Sequence, residues 1–306
     1  MSADIIAGRT CPLSYRYNPS VFNRAPEVKA QTIYVIGGLY GNPFALAKIM
    51  EMAALEAVAP TLVFNGDFNW FNRDAATFKH INQAVLQHHA TRGNVETELA
   101  DDTSDAGCGC GYPDDVSAAE VERSNEIMTI LRRTSAQFPA LRQRLAALPM
   151  HLVARVGDVK IAITHGDAES LAGWGFSREA LCDADLISYF AAANVSIFAS
   201  THTCLPAAKR VALAEGGGLV INNGSAGMAN LADETCGLIT RISAQASTQK
   251  SRFNKQIQGL SVDLLEVDFA MGEWEKLFLS QWPEGSAAYE SYYRRVMFGT
   301  NLRGAI

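Results

Sequence analysis

Two short apolar runs that end in glycine-rich loops, each followed by residues at helical spacing, constrain this chain most. Residues 32–37 read Thr-Ile-Tyr-Val-Ile-Gly, a β-branched and aromatic run, and residues 42–59 then repeat apolar side chains three and four apart. The unit returns at residues 61–64, which stop at Asn65-Gly66-Asp67 before a second helical stretch over 75–89. Strands alternating with helices imply βαβ crossovers. Strand-like runs resume at 151–156, 159–164, 195–199, 209–213, 218–222, 237–243 and 262–267, the later ones closely spaced with Gly turns between them. The expected class is α/β, with a strand-rich second half.

Between these halves the pattern lapses. Residues 97–113 are small, acidic and Gly-rich, including Cys108-Gly109-Cys110-Gly111, and read as a surface insertion followed by helices over 116–134 and 138–147. The last segment carries aromatics at uneven spacing (Trp282, Tyr289, Tyr292, Tyr293, Phe298) and is expected to pack back on the body as a helical appendage. No repeat of fixed period emerges.

A chain of 306 residues can bury one large core or two. Its net charge of −6, without a Lys/Arg-rich block, argues against nucleic acid held by phosphate neutralisation. The longest apolar stretch, 186–200, is broken by polar residues short of the roughly 20 needed to cross a bilayer. Residues 1–9 carry no export signal, so a cytoplasmic location is expected. On that footing the six cysteines are expected to be reduced, metal-binding or buried, with no structural disulfide. Nothing in the sequence sets an oligomeric state.

Five loops at strand ends carry polar residues that a core would not need: Gly37-Gly38-Leu39-Tyr40-Gly41-Asn42, Gly66-Asp67-Phe68-Asn69, Gly93-Asn94-Val95-Glu96, Thr164-His165-Gly166-Asp167 and Thr201-His202-Thr203-Cys204-Leu205-Pro206. Ligands of α/β sheets bind at strand ends. Taken singly, a Gly-Asp pair is usually a turn and a lone His usually a hydrogen-bonded structural residue. Taken together, Asp, Asn, His and His are donors suited to Mn, Fe or Zn, and four on successive strand ends can enclose one cation.

Over residues 33–231 these loops resemble the calcineurin-like metallophosphoesterase family. Its pattern runs Asp-x-His, Gly-Asp-x-x-Asp, Gly-Asn-His-Glu/Asp, a lone His often followed by Gly-Asp, and Gly-His-x-His; Asn223-Gly224-Ser225 is similar to its closing Pro-Gly-Ser turn. The resemblance implies a sandwich of two mixed β-sheets flanked by helices over 31–270. Residues 1–30 would be an N-terminal extension, 97–149 an insertion capping the site mouth, and 271–306 the helical appendage. It also implies one ion position held by Asp67, Asn94, His165 and His202. At the family's second position the matching residues are Gly38, Tyr40 and Cys204, so of the usual ligands only Asp67 remains. The slot of the leaving-group His is Val95, and Arg92-Gly93-Asn94-Val95-Glu96 resembles a branch of the family that tolerates such a change.

Within that frame Tyr40 is expected to fill the vacated cavity, with its hydroxyl on Asp67 or on a bound anion. Cys204 is a further candidate ligand, and Cys108 and Cys110 could reach the site to give three sulfurs beside Asp67. Arg92, if it points inward, would pair with a phosphate oxygen, and Asn42 or Tyr40 would donate hydrogen bonds to it. His80, His88, His89 and His151 read as surface or packing residues, and Asp101, Asp102, Asp105, Asp114 and Asp115 as solvated loop charge. The implied function is a metal-dependent phosphoesterase acting on a small phosphorylated substrate, a monoester or diester, with one divalent transition-metal ion (Mn, Fe, Zn or Ni), or with a second ion held atypically, and slow turnover. The alternative is a catalytically degraded member that binds a phosphate ligand or a protein.

Overall fold

The computed structural model describes residues 5–214, 216–303 and 306. The alternation read from the sequence becomes β2 (Thr32–Ile36), α1 (Pro43–Ala54), β3 (Thr61–Asn65), α2 (Ala75–Val85) and β4 (His89–Thr91), with the three strands pairing in parallel. Asn42 caps α1 by accepting from the Phe44 and Ala45 N–H groups, and Asp74 caps α2 through the Thr77 N–H. Each strand is therefore followed by a fixed turn into its helix.

The strand-rich half supplies β5 (His151–Val156), β6 (Val159–Thr164), β7 (Ile197–Ser200), β8 (Pro206–Val211), β9 (Gly218–Asn223), β10 (Gly237–Ser243), β11 (Ser251–Ile257) and β12 (Leu260–Val267). One six-stranded sheet has the order β11-β12-β10-β2-β3-β4. The other is β1-β5-β6-β7-β9-β8, where β1 is Val28–Ala30. Both are mixed, as expected: β6, β7 and β9 run parallel, while β5, β8, β10, β11 and β12 join by antiparallel pairs.

The period of two along β2 builds the layers. Ile33 and Val35 join Val63, Ile161, Ile163, Ile197 and Ile221 in an apolar layer shared by the two sheets. Tyr34 and Ile36 point the other way, into a second core with Ile49 of α1 and Ile81 of α2. Helix α6 (Asp183–Ala193) covers the outer face of the other sheet, with Leu186 and Phe190 against Phe198 and Val220. Buried Arg241 in β10 meets Glu56 at 2.7 Å and Asp263 at 3.3 Å, so its charge is doubly paired.

The inserted stretch contains α3 (Asn94–Ala100), α4 (Ala118–Ser135) and α5 (Pro139–Ala146). It is not the surface loop expected over 97–113: Ala106, Cys108 and Cys110 are buried. Nor does the expectation of no disulfide hold, because Cys108 and Cys110 are bonded to each other across Gly109. Gly107, Gly109 and Gly111 all take positive φ, folding the chain tightly enough for the two sulfurs to meet. Residues 5–30 are woven into the body, since β1 pairs with β5 and Tyr15 bonds Glu98 of α3 at 2.5 Å. At the other end α7 (Met271–Gln281) and α8 (Ala287–Phe298) bury Trp274, Phe278, Trp282 and Val296 in the same core as α1 and α2.

Candidate metal centre

The C-terminal ends of β2, β3, β4, β6 and β7 lie together, and each passes into one of the polar loops. Asp67 follows β3, Asn94 opens α3 just after β4, His165 follows β6 and His202 follows β7. All four residues are buried, none more than 5% exposed.

Their donor atoms converge. His165 Nε2 stands 3.3 Å from Asp67 Oδ2, 3.2 Å from Asn94 Oδ1 and 3.1 Å from His202 Nδ1. Ligands about 2.1 Å from a shared cation lie about 3.0 Å apart at right angles and about 3.4 Å apart at the tetrahedral angle. The observed separations fall between those limits.

The outer partners decide which atoms carry protons. His165 Nδ1 faces the Asn65 carbonyl at 2.9 Å, so the neutral ring keeps its proton there and turns the Nε2 lone pair to the centre. His202 Nε2 faces the Cys110 carbonyl at 2.9 Å, which leaves the Nδ1 lone pair inward. The Asn94 amide nitrogen donates to the Cys108 carbonyl at 2.9 Å, which aims Oδ1 inward. Asp67 Oδ1 accepts from the Val95 N–H at 3.1 Å, leaving Oδ2 for the centre. Four lone pairs thus face one another, and a single proton on His165 Nε2 could satisfy only one of its three acceptors. That arrangement fits a divalent cation, with backbone carbonyls fixing both imidazoles from behind.

The electrostatics show that a proton on His165 competes for the place a cation would take. Burial alone would push the His165 imidazole down, but the Asp67 carboxylate, with the Asn65 carbonyl and Glu96, more than offsets it and the pKa is raised. Burial, and then the neighbouring His165, push His202 down to about 4. Burial would raise Asp67, yet His165 beside it holds the carboxyl below its usual range. Among the described residues, Asp67, His165 and His202 form a buried cluster of titratable ligands close enough to share an ion.

The three positions that depart from the family pattern pack together. A Cβ on Gly38 would meet the Tyr40 ring at 2.8 Å, so that ring occupies the space a side chain at 38 would take. The Tyr40 hydroxyl bonds Cys204 Sγ at 2.7 Å and not Asp67, one of the two partners expected for it. Cys204 Sγ also donates to the His202 carbonyl at 3.2 Å, and it stands outside the Asp67, His165 and His202 cluster. Burial pushes its thiol up, against the pull of Arg295 and Tyr40. Cys108 and Cys110, bonded to each other, do not make three sulfurs with Cys204; their loop reaches the site through backbone carbonyls.

Two other expected groups are absent from the site. Arg92 turns toward the end of α5, where its guanidinium donates to the Ala146 carbonyl at 3.3 Å and its backbone N–H to the Pro149 carbonyl at 3.0 Å. Asn42 is spent on the α1 cap and on the Gly227 carbonyl. Neither lines the cavity above the quartet, a space of about 270 Å³ bounded in part by Tyr40, Asp67, Asn94, Val95 and His202.

Glu96 had no role assigned from sequence. Its buried carboxylate accepts from the backbone N–H groups of Asp67 (2.7 Å), Gly93 (3.0 Å) and Phe68 (3.1 Å), locking the Asp67 loop, whose φ of 53° is left-handed, onto the start of α3. Burial and the nearby Asp67 raise it to about 7. An acid in the first turn of a helix is a visible signal; that it reaches back to another loop is not.

No family model matches the sequence and no curated protein is similar to it. Solved structures are more informative. A metallophosphoesterase from Sphaerobacter thermophilus superposes with a TM-score of 0.57 at 16% identity, covering 89% of this chain and 100% of its own. A hypothetical protein from Pyrococcus horikoshii gives 0.57 at 15% identity, covering 90% and 100%. At such identities the likeness is one of architecture, and with the two mixed six-stranded sheets it establishes that this chain has the metallophosphoesterase fold.

Proposed function

We propose that the chain is a metal-dependent phosphoesterase that works with a single ion, hydrolysing a phosphate monoester or diester of a small substrate. The observation that supports this most is the convergence of four inward lone pairs from Asp67, Asn94, His165 and His202 on the floor of a cavity. When bound there, a divalent ion such as Mn, Fe, Zn or Ni would polarise a phosphoryl oxygen and bring the pKa of a water down toward about 7.

The chain's own residues do the rest. Asn65 and Cys110 hold the two imidazoles in the tautomers that leave His165 Nε2 and His202 Nδ1 free to coordinate. Glu96 and the Val95 N–H fix Asp67 so that one oxygen is pinned and the other presented. The Val95 side chain offers no proton to a leaving oxygen, so turnover is expected to be slow and to favour leaving groups that depart as anions.

Release of p-nitrophenol from p-nitrophenyl phosphate and its bis ester, with Mn, Fe, Zn and Ni in turn, tests the proposal. Metal-dependent release at least 10²-fold above an Asp67→Ala control is expected; release equal to that control contradicts it. The alternative, a phosphate-ligand or protein-binding module, is favoured by the closure of the second position through Tyr40 and Cys204. It predicts a ligand-induced melting shift without turnover.

A further inference from the structure

Above the quartet the cavity has one cationic side chain and a continuous aromatic wall. The cation is Arg295 of α8, whose Nη2 donates to the Cys204 carbonyl. Its Nε is buried with no hydrogen-bond partner. An unmet donor on a buried charged group is costly, and Arg295 lines the cavity with its guanidinium incompletely paired. Cys204 ties Arg295 to Tyr40, so this guanidinium stands beside the very residues that replace the second ligand set.

The wall begins at a metal-ligand ring. Trp174 meets His202 edge-on with centroids 5.4 Å apart, and Tyr112 lies 6.0 Å from Trp174. The Tyr112 and Tyr292 hydroxyls are 3.4 Å apart, and Tyr292 meets Trp70 edge-on at 6.1 Å. The four rings come from four separate segments, and all line the cavity. Trp174 Nε1 is spent on the Cys110 carbonyl, and the Tyr112 hydroxyl also reaches Ser124. With those polar tips partly engaged, the rings are left to offer mainly flat apolar surface. Glu120, the other acid that lines the cavity besides Asp67, is held by Ser117 at the start of α4.

Resting on the phosphoesterase reading, the geometry points to a substrate class: a phosphate ester of an aromatic or similarly flat, apolar alcohol, with Arg295 pairing the phosphoryl oxygens and the four rings packing the alcohol. A guanidinium suits this task because it binds two oxygens of a phosphoryl group in one plane, and aromatic faces add attraction beyond their buried area. Arg295 is then a substrate-binding residue contributed by the C-terminal helices, and it supplies a fixed positive charge where a second ion would otherwise act.

The test is calorimetric titration of phenylphosphonate and methylphosphonate, which are not hydrolysed, into metal-loaded wild type, R295Q and R295K, with the metal content of each sample measured. Phenylphosphonate is expected to bind wild type at least tenfold more tightly than methylphosphonate does. It should lose at least tenfold in R295Q and a smaller factor in R295K, with metal content unchanged in all three. Equal binding by R295Q and wild type, or equal binding of the two phosphonates, overturns the inference. Should R295Q not fold, R295K binding as tightly as wild type overturns it in the same way. Wild type that takes up metal but binds neither phosphonate refutes the substrate class and leaves the metal centre standing. Wild type that takes up no metal refutes the reading beneath it.

Discussion

The Tyr40 hydroxyl and the Cys204 thiol stand 2.7 Å apart, and the Tyr40 ring covers the Cα of Gly38. Three positions that would each contribute a ligand to a second ion are therefore mutually dependent. Gly38→Ala would place a methyl group into the Tyr40 ring at a backbone φ of 64°, which L residues rarely adopt. Destabilisation of about 1–3 kcal/mol is expected from overpacking. Denaturant melts of Gly38→Ala, Tyr40→Ala and the double variant check it: the double should be less destabilised than the sum of the singles, and strict additivity would count against the coupling.

Glu96 carries the loop that carries Asp67. Glu96→Gln brings an amide donor against a carboxylate-shaped set of N–H donors, so stability should fall by about 1–3 kcal/mol. Because Asp67 is positioned through those bonds, metal affinity should fall about 10- to 100-fold. A metal titration on folded Glu96→Gln separates this from simple loss of fold; unchanged affinity would mean that Asp67 is held by other contacts.

The candidate ligands were legible because each stands where an apolar strand run breaks into small and polar residues. Asp67, Asn94, His165 and His202 all lie within three residues of a strand end, and the matching order of the loops put them in one place. Arg92 shows the limit of that reasoning. It is adjacent in sequence to the site, but its side chain runs to the Ala146 carbonyl at the end of α5, a contact set by tertiary packing that no local pattern shows. Arg295 lies far down the chain, on a helix whose docking no local pattern reveals. Strand β11 was missed because Ser-Arg-Phe-Asn-Lys-Gln-Ile is a mostly exposed edge, stabilised by pairing with β12 and not by an apolar face. Helix α6 was missed because its apolar residues run nearly continuously into β7, hiding the change of period.

A pH dependence follows from His151, lodged between Tyr17 and Phe22 with Arg24 3.1 Å from its Nδ1. Burial, and then Arg24, lower its pKa from 6.5 to about 4. Between those values the unfolded chain binds more protons than the folded one. The contribution of the neutral ring is therefore complete above about pH 6.5 and is lost as the pH falls toward about 4. Screening by solvent limits the effect to about 1–2 kcal/mol. Urea melts at pH 7 and pH 5 should show wild type losing more stability than His151→Gln; parallel losses would assign the dependence to other groups.

Chelation should expose the cost of four facing lone pairs. Removing the ion is expected to lower the melting temperature, and restoring it at 100 times its dissociation constant to return about 2.7 kcal/mol. An Asn94→Ala variant should respond more weakly, and a melting curve indifferent to chelator and metal alike would contradict a folded-state ion.

The most direct test is the number of metal ions per chain in the purified protein, measured by elemental analysis for wild type, Asp67→Ala and His165→Ala. One ion per wild-type chain, lost in both variants, is the predicted result. No ion in wild type after incubation with Mn, Fe, Zn and Ni, or two ions per chain, would contradict a single centre built from Asp67, Asn94, His165 and His202.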